Sequence, residues 1–374
     1  MLFRSYQTAA KNASPLPKNI DFAALGRYNG EKTTGVQNMA NNKLFDKGAR
    51  VAMVGDSITH SGLAVAYIQE YYMTHMPERE VKIYNLGTGG DASAHCCARI
   101  DEILSVKPTE AVVMFGVNDM GVPHYNATPT GENLAAREKA RRTHLEGTVR
   151  LVSLLREAGL KVTLCSAVGR DERTPGTEGI LTYGATDTLH EMYRDNVAAI
   201  GEDVLKNTVD YLAPMQALQA ELCAIGGPSL FAPDRTHPNP LGQRIMARIF
   251  LAAQGLPVAL PSAETLADGW CERPLPAVLA DRRNAGLRWR DLAWVYPHQA
   301  DRTKGLDLDG RIAFWRKELE NPDLPNYFRN MYTNYVEKAH LGDEFLDEYV
   351  RLTDALYGDV GEKIDKDAKV ALRI

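Results

Sequence analysis

The sequence predicts an α/β protein: a five-stranded parallel sheet with helices on both faces over residues 49–255, preceded by an arm (1–48) and followed by a helical extension (256–374). Three observations lead there. From residue 49 to about 254, apolar runs of strand length alternate with stretches of helix length, the order that βαβ units produce. The first run, Val51-Ala52-Met53-Val54, is apolar at successive positions, as in a buried parallel strand. Past Leu256-Pro257 and Pro261 the alternation stops, and all four tryptophans (Trp270, Trp289, Trp294, Trp315) fall in the remaining stretch.

Residues 1–48 are polar and broken by Pro15, Pro17, Gly26, Gly30 and Gly35, and read as an arm over the main domain with Asp21–Leu25 as a helical turn. Arg50–Val54 is the first strand, and residues 62–76 its helix. Glu80–Leu86 is the second strand, followed by a glycine-rich turn and one helix near 92–106. Glu110–Phe115 is the third; an irregular passage, 120–132, leads to a helix over 134–158 that Gly159 ends. Lys161–Val168 is the fourth, with a loop over 169–185 and a helix over 186–206. Val209–Met215 is the fifth, with a helix near 216–224, and a last helix spans 240–254. In the extension, helical spacing recurs in Ile312/Trp315/Leu319, Phe328/Met331/Tyr332/Tyr335 and Phe345/Tyr349/Leu352/Leu356, an amphipathic layer expected to dock on the sheet domain.

Composition sets the outer limits. Hydrophobic content of 44% and charged content of 24% are ordinary for a globular chain. A net charge of -5 and the lack of a long basic run argue against nucleic acid as a partner. No window approaches the ~18 apolar residues of a membrane span. The start, Met1-Leu2-Phe3-Arg4-Ser5, lacks a leader pattern, so a cytoplasmic protein is expected unless the chain begins after cleavage. Cys96, Cys97, Cys165, Cys223 and Cys271 are odd in number, two of them adjacent, with no Cys-x-x-Cys. They read as free thiols in a reducing compartment, and no metal is expected. A homo-oligomer is compatible with all of this.

The chemistry concentrates at strand ends. Gly55-Asp56-Ser57 follows the first strand, so Ser57 sits where open α/β sheets place their ligands, with its N–H near a helix N-terminus. Gly87-Thr88-Gly89-Gly90-Asp91 follows the second strand, Gly116-Val117-Asn118-Asp119 the third, and Asp234-x-x-His237 precedes the last helix. Together they supply a nucleophile, a histidine base, a carboxylate to orient it and donors for an oxyanion. Alone, Ser57 is more readily a capping or turn serine; the four stretches in order are what give it meaning.

In these blocks the chain resembles the SGNH (GDSL) hydrolases, flavodoxin-like serine esterases and lipases, over roughly residues 49–254. Gly55-Asp56-Ser57 corresponds to the family's nucleophile block, with Ile58-Thr59 where leucine is common; Gly90 falls at its oxyanion glycine, Gly116-x-Asn118-Asp119 at its third block and Asp234-x-x-His237 at its fifth. The resemblance implies a flavodoxin-like three-layer sandwich with strand order 2-1-3-4-5. It implies Ser57, His237 and Asp234 as catalytic residues and the Ser57 and Gly90 N–H groups with the Asn118 amide as the oxyanion site. Gly87 and Gly89 compete with Gly90 in the same turn. Asp56 and Asp119 are expected to be structural, accepting loop N–H bonds.

Other readings are weaker. Gly87-x-Gly89-x-x-Ala92 fits a dinucleotide fingerprint, but it follows the second strand, and Asp119 lies 32 positions beyond Gly87. Gly-x-Ser-x-Gly is absent, as is a second histidine near His190 or His144 for a zinc helix. Arg170 and Arg173 in the 169–185 loop are either solvated or poised for an anionic substrate, and His60 either lines the pocket or is solvated. The expectation is a cofactor-free serine esterase acting on a small-molecule or carbohydrate ester, with removal of O-acetyl groups favoured by polar loops. A lipase, thioesterase or lysophospholipase, an acyltransferase, and a dinucleotide-binding enzyme are the alternatives.

Overall fold

The computed structural model describes residues 43–174, 179–269, 274–293, 300–303 and 305–357. Five parallel strands form one sheet in the order β2-β1-β3-β4-β5: β1 (Arg50–Gly55), β2 (Lys82–Asn85), β3 (Glu110–Met114), β4 (Lys161–Cys165) and β5 (Asn207–Val209). This is the order the family resemblance implies. The register brings Gly55 opposite Met114, and Met114 opposite Cys165, so the turns that leave β1 and β3 emerge side by side.

Successive strand residues face opposite ways, and the core divides accordingly. Val51, Met53, Val112 and Met114 bury one face of the sheet with residues of α2 (Leu63–His75), α7 (Leu212–Ile225) and α8 (Pro240–Ala253). Ala52, Val54, Ala111 and Val113 bury the other with α4 (Ile100–Ser105) and α5 (Gly131–Glu157). Both sets being fully apolar is why these strands lack polar alternation. Between α2 and β1 lies a single turn of helix, α1 (Ser57–His60), and α3 (Ser93–Cys96) follows the glycine-rich turn. No helix among the described residues is long and apolar enough to cross a membrane.

Several elements differ from the sequence reading; β2 and β4 are shorter than the expected Glu80–Leu86 and Lys161–Val168, and three further differences stand out. The stretch 92–106 is not one helix but α3, a 3-10 turn at Cys97–Arg99 and α4; the backbone at Arg99 leaves helical geometry as its guanidinium reaches back to Asp91. β5 is shorter and earlier than Val209–Met215, and α7 already starts at Leu212. The reason is a cap: Asp210 Oδ1 accepts the N–H groups of Leu212 and Ala213, and Ser166 Oγ accepts those of Tyr211 and Leu212, so a helix N-terminus replaces the strand. The loop 169–185 yields to α6 (Ala185–Ile200), which ends at Gly201, short of the expected 206.

Past α8 come α9 (Ala263–Ala267), α10 (Ala277–Ala293), α11 (Leu308–Glu318), α12 (Asn326–Lys338) and α13 (Gly342–Asp354). The last three coincide with the three spaced apolar sets of the extension; α9 and α10 have no counterpart among the elements expected from sequence. Ala285 and Trp289 of α10 and Tyr349 of α13 join the second core face, whereas Trp315, Tyr332 and Tyr335 build a satellite cluster between α11 and α12. α10, α13 and the 3-10 turn after it cover the open edge of the sheet: Tyr349 Oη accepts the N–H of Asn85, and Arg282 and Tyr357 donate to the carbonyls of Ile83 and Val81. An edge strand left bare would be a template for unwanted pairing. Residues 1–42, with the expected turn at 21–25, lie outside the described residues, as do Trp270, Trp294 and Cys271; Phe45, just inside, is buried against Tyr72 and Phe250. Cys96, Cys97, Cys165 and Cys223 are free thiols.

Candidate active site

The site is assembled from the ends of strands. β1 ends at Gly55, where a Cβ would lie 2.7 Å from the Met114 carbonyl oxygen and closer still to the Thr59 hydroxyl. Asp56 follows as the N-cap of α1, its Oδ1 accepting the N–H of Ile58 at 2.9 Å. Asp56 is fully buried, and burial, reinforced by the nearby Asp119 and Asp91 carboxylates, pushes its pKa up to about 7 against the pull of that N–H. Ser57 opens α1, and its N–H meets no acceptor among the described residues.

Two backbone bonds draw the glycine-rich turn alongside. Leu86 N–H donates to the Met53 carbonyl at 2.8 Å, and Thr88 N–H to the Gly55 carbonyl at 2.9 Å. The approach is so close at Gly87 that a Cβ would lie 2.4 Å from the backbone nitrogen of His60. Gly90 has φ +70, a left-handed conformation that a side chain would strain, and its N–H also has no acceptor among the described residues. From the end of β3, Asn118 donates one amide hydrogen to the Asp91 carbonyl at 2.8 Å; the amide has a second to offer. Asp119 is held behind it, accepting from Ser93 N–H and Oγ–H at 3.0 and 2.6 Å and lying 3.0 Å from His144 Nδ1. Burial works upward on the Asp119 carboxyl, but His144 and Ser93 outweigh it and hold the group below the usual range.

Asp234 and His237 come from the turn before α8. Asp234 Oδ1 accepts the N–H groups of Thr236 (2.9 Å) and His237 (3.0 Å), which folds the chain back on itself. Oδ2 is then 2.6 Å from His237 Nδ1, and His237 Nε2 is 2.7 Å from Ser57 Oγ. Burial raises the Asp234 pKa, but the two N–H groups and the imidazole more than offset it and keep the carboxylate below its ordinary range. The Asp234 and His237 side chains remain 51% and 43% exposed, so the site opens on solvent.

The turn has supports that sequence reasoning missed. Arg235, at φ +63, takes a left-handed conformation rare for a side-chain-bearing residue. It is 5% exposed, and its guanidinium donates to the carbonyls of Gly179 (3.1 Å), Asp171 (3.1 Å) and Thr174 (2.8 Å). Arg170 is neither solvated nor free for a substrate: it is buried, donating to Thr236 Oγ1 and to the Ile180 carbonyl. Arg173 is exposed, whereas His60 is buried with Nε2 3.4 Å from Asp291. Beside the turn, Ile180, Tyr183 and, less so, Leu181 are exposed apolar side chains. An arginine in a polar loop carries no sequence signal of such a role, because its partners are carbonyls distant in sequence.

A serine hydroxyl bonded to an imidazole whose far nitrogen meets a carboxylate can lose its proton as it attacks a carbonyl. Set at the carboxyl edge of a parallel sheet beside unspent N–H donors, this is the equipment of a carboxylic ester hydrolase. Comparison with known proteins agrees. The chain belongs to the GDSL-like Lipase/Acylhydrolase family, whose profile matches residues 53–245, which makes it an SGNH-type ester hydrolase. It is similar to an acetylxylan esterase of Geobacillus stearothermophilus, 25% identical over 230 residues that cover 56% of this chain and 94% of that protein. Among solved structures it is similar to BT4096, a gut microbial diltiazem-metabolizing enzyme, with TM-score 0.70 and 17% identity over 87% of this chain and 98% of that one. A crystal structure of the acetyl xylan esterase AlAXEase has TM-score 0.42 and 22% identity, covering 55% of this chain and 98% of that one.

Proposed function

We propose that the protein removes short acyl groups, foremost O-acetyl, from a carbohydrate or another small polar ester, through an acyl-enzyme on Ser57. The observation that carries the serine mechanism is the continuous pair of hydrogen bonds Ser57–His237–Asp234, 2.7 and 2.6 Å. His237 Nε2 takes the Ser57 proton as Oγ bonds to the ester carbonyl carbon; the carbonyl oxygen becomes an oxyanion facing the N–H groups of Ser57 and Gly90 and the Asn118 amide. Collapse breaks the ester C–O bond, and the imidazolium gives its proton to the leaving alcohol. Water, deprotonated by the same nitrogen, then releases the acid and restores Ser57. Asp234 keeps the proton on Nδ1 and stabilises the imidazolium between the two transfers. The acetyl preference rests on the acetylxylan esterase relative. The openness of the site is compatible with an ester carried on a bulky polar molecule.

A second reading has its own support. Ile180, Leu181 and Tyr183, exposed beside the Asp234 turn, offer an apolar surface that would suit a longer acyl chain. Initial rates on p-nitrophenyl esters from acetyl to decanoyl, with acetate release from acetylated xylo-oligosaccharides, separate the two. Rates highest at acetyl and abolished in Ser57→Ala are expected; a maximum at octanoyl or beyond assigns the protein to the lipase and thioesterase side.

A further inference from the structure

The helices that follow the span matched by the family profile do more than cover a sheet edge. Arg290, on α10, has a side chain with no solvent exposure, and all three of its donor nitrogens are engaged with the segment that carries Gly90 or with the charged residues behind it. Its Nε donates to the Gly87 carbonyl at 3.1 Å and one terminal nitrogen to Thr88 Oγ1. The other reaches Glu102, which also accepts from Arg99 at 3.0 Å. Arg99 in turn holds Asp91 Oδ2 at 2.6 and 3.0 Å, with both side chains buried. The Asp91 carbonyl receives the Asn118 amide at 2.8 Å. A single chain of buried charge therefore runs from α10 to two of the three oxyanion donors, gripping the turn both before Gly90, at Gly87 and Thr88, and after it, at Asp91.

From this we infer that Arg290 is a positioning residue for the oxyanion site, setting where the Gly90 N–H and the Asn118 amide point through its bonds to Gly87, Thr88 and Glu102. A planar guanidinium is suited to this: three donors in a fixed fork reach three acceptors on two segments, the glycine-rich turn and α4, which a lysine ammonium on a flexible stem does not reproduce. Buried ion pairs contribute little net stability compared with apolar packing, so a network of this length is better explained by the geometry it fixes than by the energy it adds. Burial alone would raise the Glu102 carboxyl, yet Arg290 and Arg99 hold it below the ordinary range, as a permanently charged link requires. Arg283, two turns earlier on α10, donates to the Ser61 carbonyl at 2.7 Å just past α1, so the same helix also touches the nucleophile's segment.

The proposal rests on the assignment of Ser57 as nucleophile, and its test keeps the two apart. Wild type, Ser57→Ala, Arg290→Lys, Arg290→Met, Thr88→Val and Thr88→Ser are assayed on p-nitrophenyl acetate, with rates normalised to the Ser57 titrated at the endpoint of fluorophosphonate labelling, or to folded protein for Ser57→Ala. Since a misplacement of about 1 Å costs ~10²-fold in rate, Arg290→Met is expected to lose about that factor in kcat with KM nearly unchanged, and Arg290→Lys less. Thr88→Val approaches the same contact while leaving the Arg290–Glu102 ion pair in place; it is expected to lose kcat, and Thr88→Ser, which keeps the hydroxyl, to recover it. Wild-type kcat per titrated site in Arg290→Met or Thr88→Val, alongside an inactive Ser57→Ala, overturns the proposal alone. Should Arg290→Met not fold, the Thr88 pair decides. Undiminished activity in Ser57→Ala overturns the site assignment and the proposal with it.

Discussion

Replacing Asp234 with asparagine isolates what its carboxylate does chemically from what it does to the fold. Oδ1 accepts two backbone N–H bonds, from Thr236 and His237, and Oδ2 faces His237 Nδ1 at 2.6 Å. In Asp234→Asn the amide oxygen keeps the Oδ1 position, because placing NH₂ there would set donors against two N–H donors. The NH₂ group is thereby forced towards Nδ1, which must then accept, so the ring proton moves to Nε2 and points at Ser57 Oγ. A histidine in that tautomer cannot take the serine proton. In serine hydrolases of other folds, loss of the correct tautomer with geometry intact lowers kcat by about 10⁴, ~5.5 kcal/mol of transition-state stabilisation. The expected result on p-nitrophenyl acetate at neutral pH is a fall of about that size in kcat, with KM and the thermal midpoint close to wild type. A variant that kept a tenth or more of wild-type kcat would refute the tautomer argument; one that lost the fold would refute the assignment of both backbone bonds to the amide oxygen.

Asp56 gives a pH test. An unfolded aspartate ionises near 3.8, whereas in the folded protein the group does so at about 7. Between these values the native state holds a proton that the unfolded chain has lost, so this group's contribution to stability is complete below about pH 4 and declines as pH rises through 7, by up to ~4 kcal/mol. Asp56→Asn keeps an oxygen for the Ile58 N–H and has nothing to ionise; urea unfolding at pH 4 to 8 should show wild type losing stability relative to the variant, and parallel curves would count against it. Gly87→Ala is expected to destabilise the protein by about 1–3 kcal/mol, because the new methyl meets backbone at His60 and Thr59 and α1 must move. It should also lower kcat, Ser57 being in α1; a thermal melt and a rate measurement check both, and a variant unchanged in either would remove the close approach from the account.

Much of this was legible because it is local. Buried parallel strands advertise themselves as unbroken apolar runs, and β1, β3 and β4 begin at the residues the sequence suggests. Gly55-Asp56-Ser57, the turn containing Gly90, and Asn118 are short blocks that follow strand ends, the Asp234–His237 pair is a short block before α8, and the fold brings Ser57 and His237 together. Three of the failures share a cause, namely polar side chains acting away from their own element. Tyr211 and Leu212 read as strand until Ser166, some forty-five positions earlier, caps them into helix. The stretch 92–106 has helical spacing, but Arg99 turns out of it to meet Asp91. α10 escaped notice because Arg282 and Arg290 occupy buried positions on it, where periodicity expects apolar residues.

The anchoring of Arg235 has a consequence for how such an enzyme changes its diet. Each of its three side-chain partners, at 171, 174 and 179, is a main-chain carbonyl, a group that every amino acid supplies. Residues beside the histidine whose side chains take no part in this fastening can thus change while the fastening stays in place. Positions 171, 172 and 179 are not free: the Asp171 carboxylate accepts the N–H groups of Arg173 and Thr174, Glu172 accepts that of Ala185, and any Cβ at 179 would lie 2.4 Å from the backbone of Asp234. Next to that one fixed glycine, the outward-facing residues 180, 181 and 183 are free to drift. Selection can therefore try new surfaces against the substrate one substitution at a time, each tried beside a proton-transfer apparatus that does not feel the change.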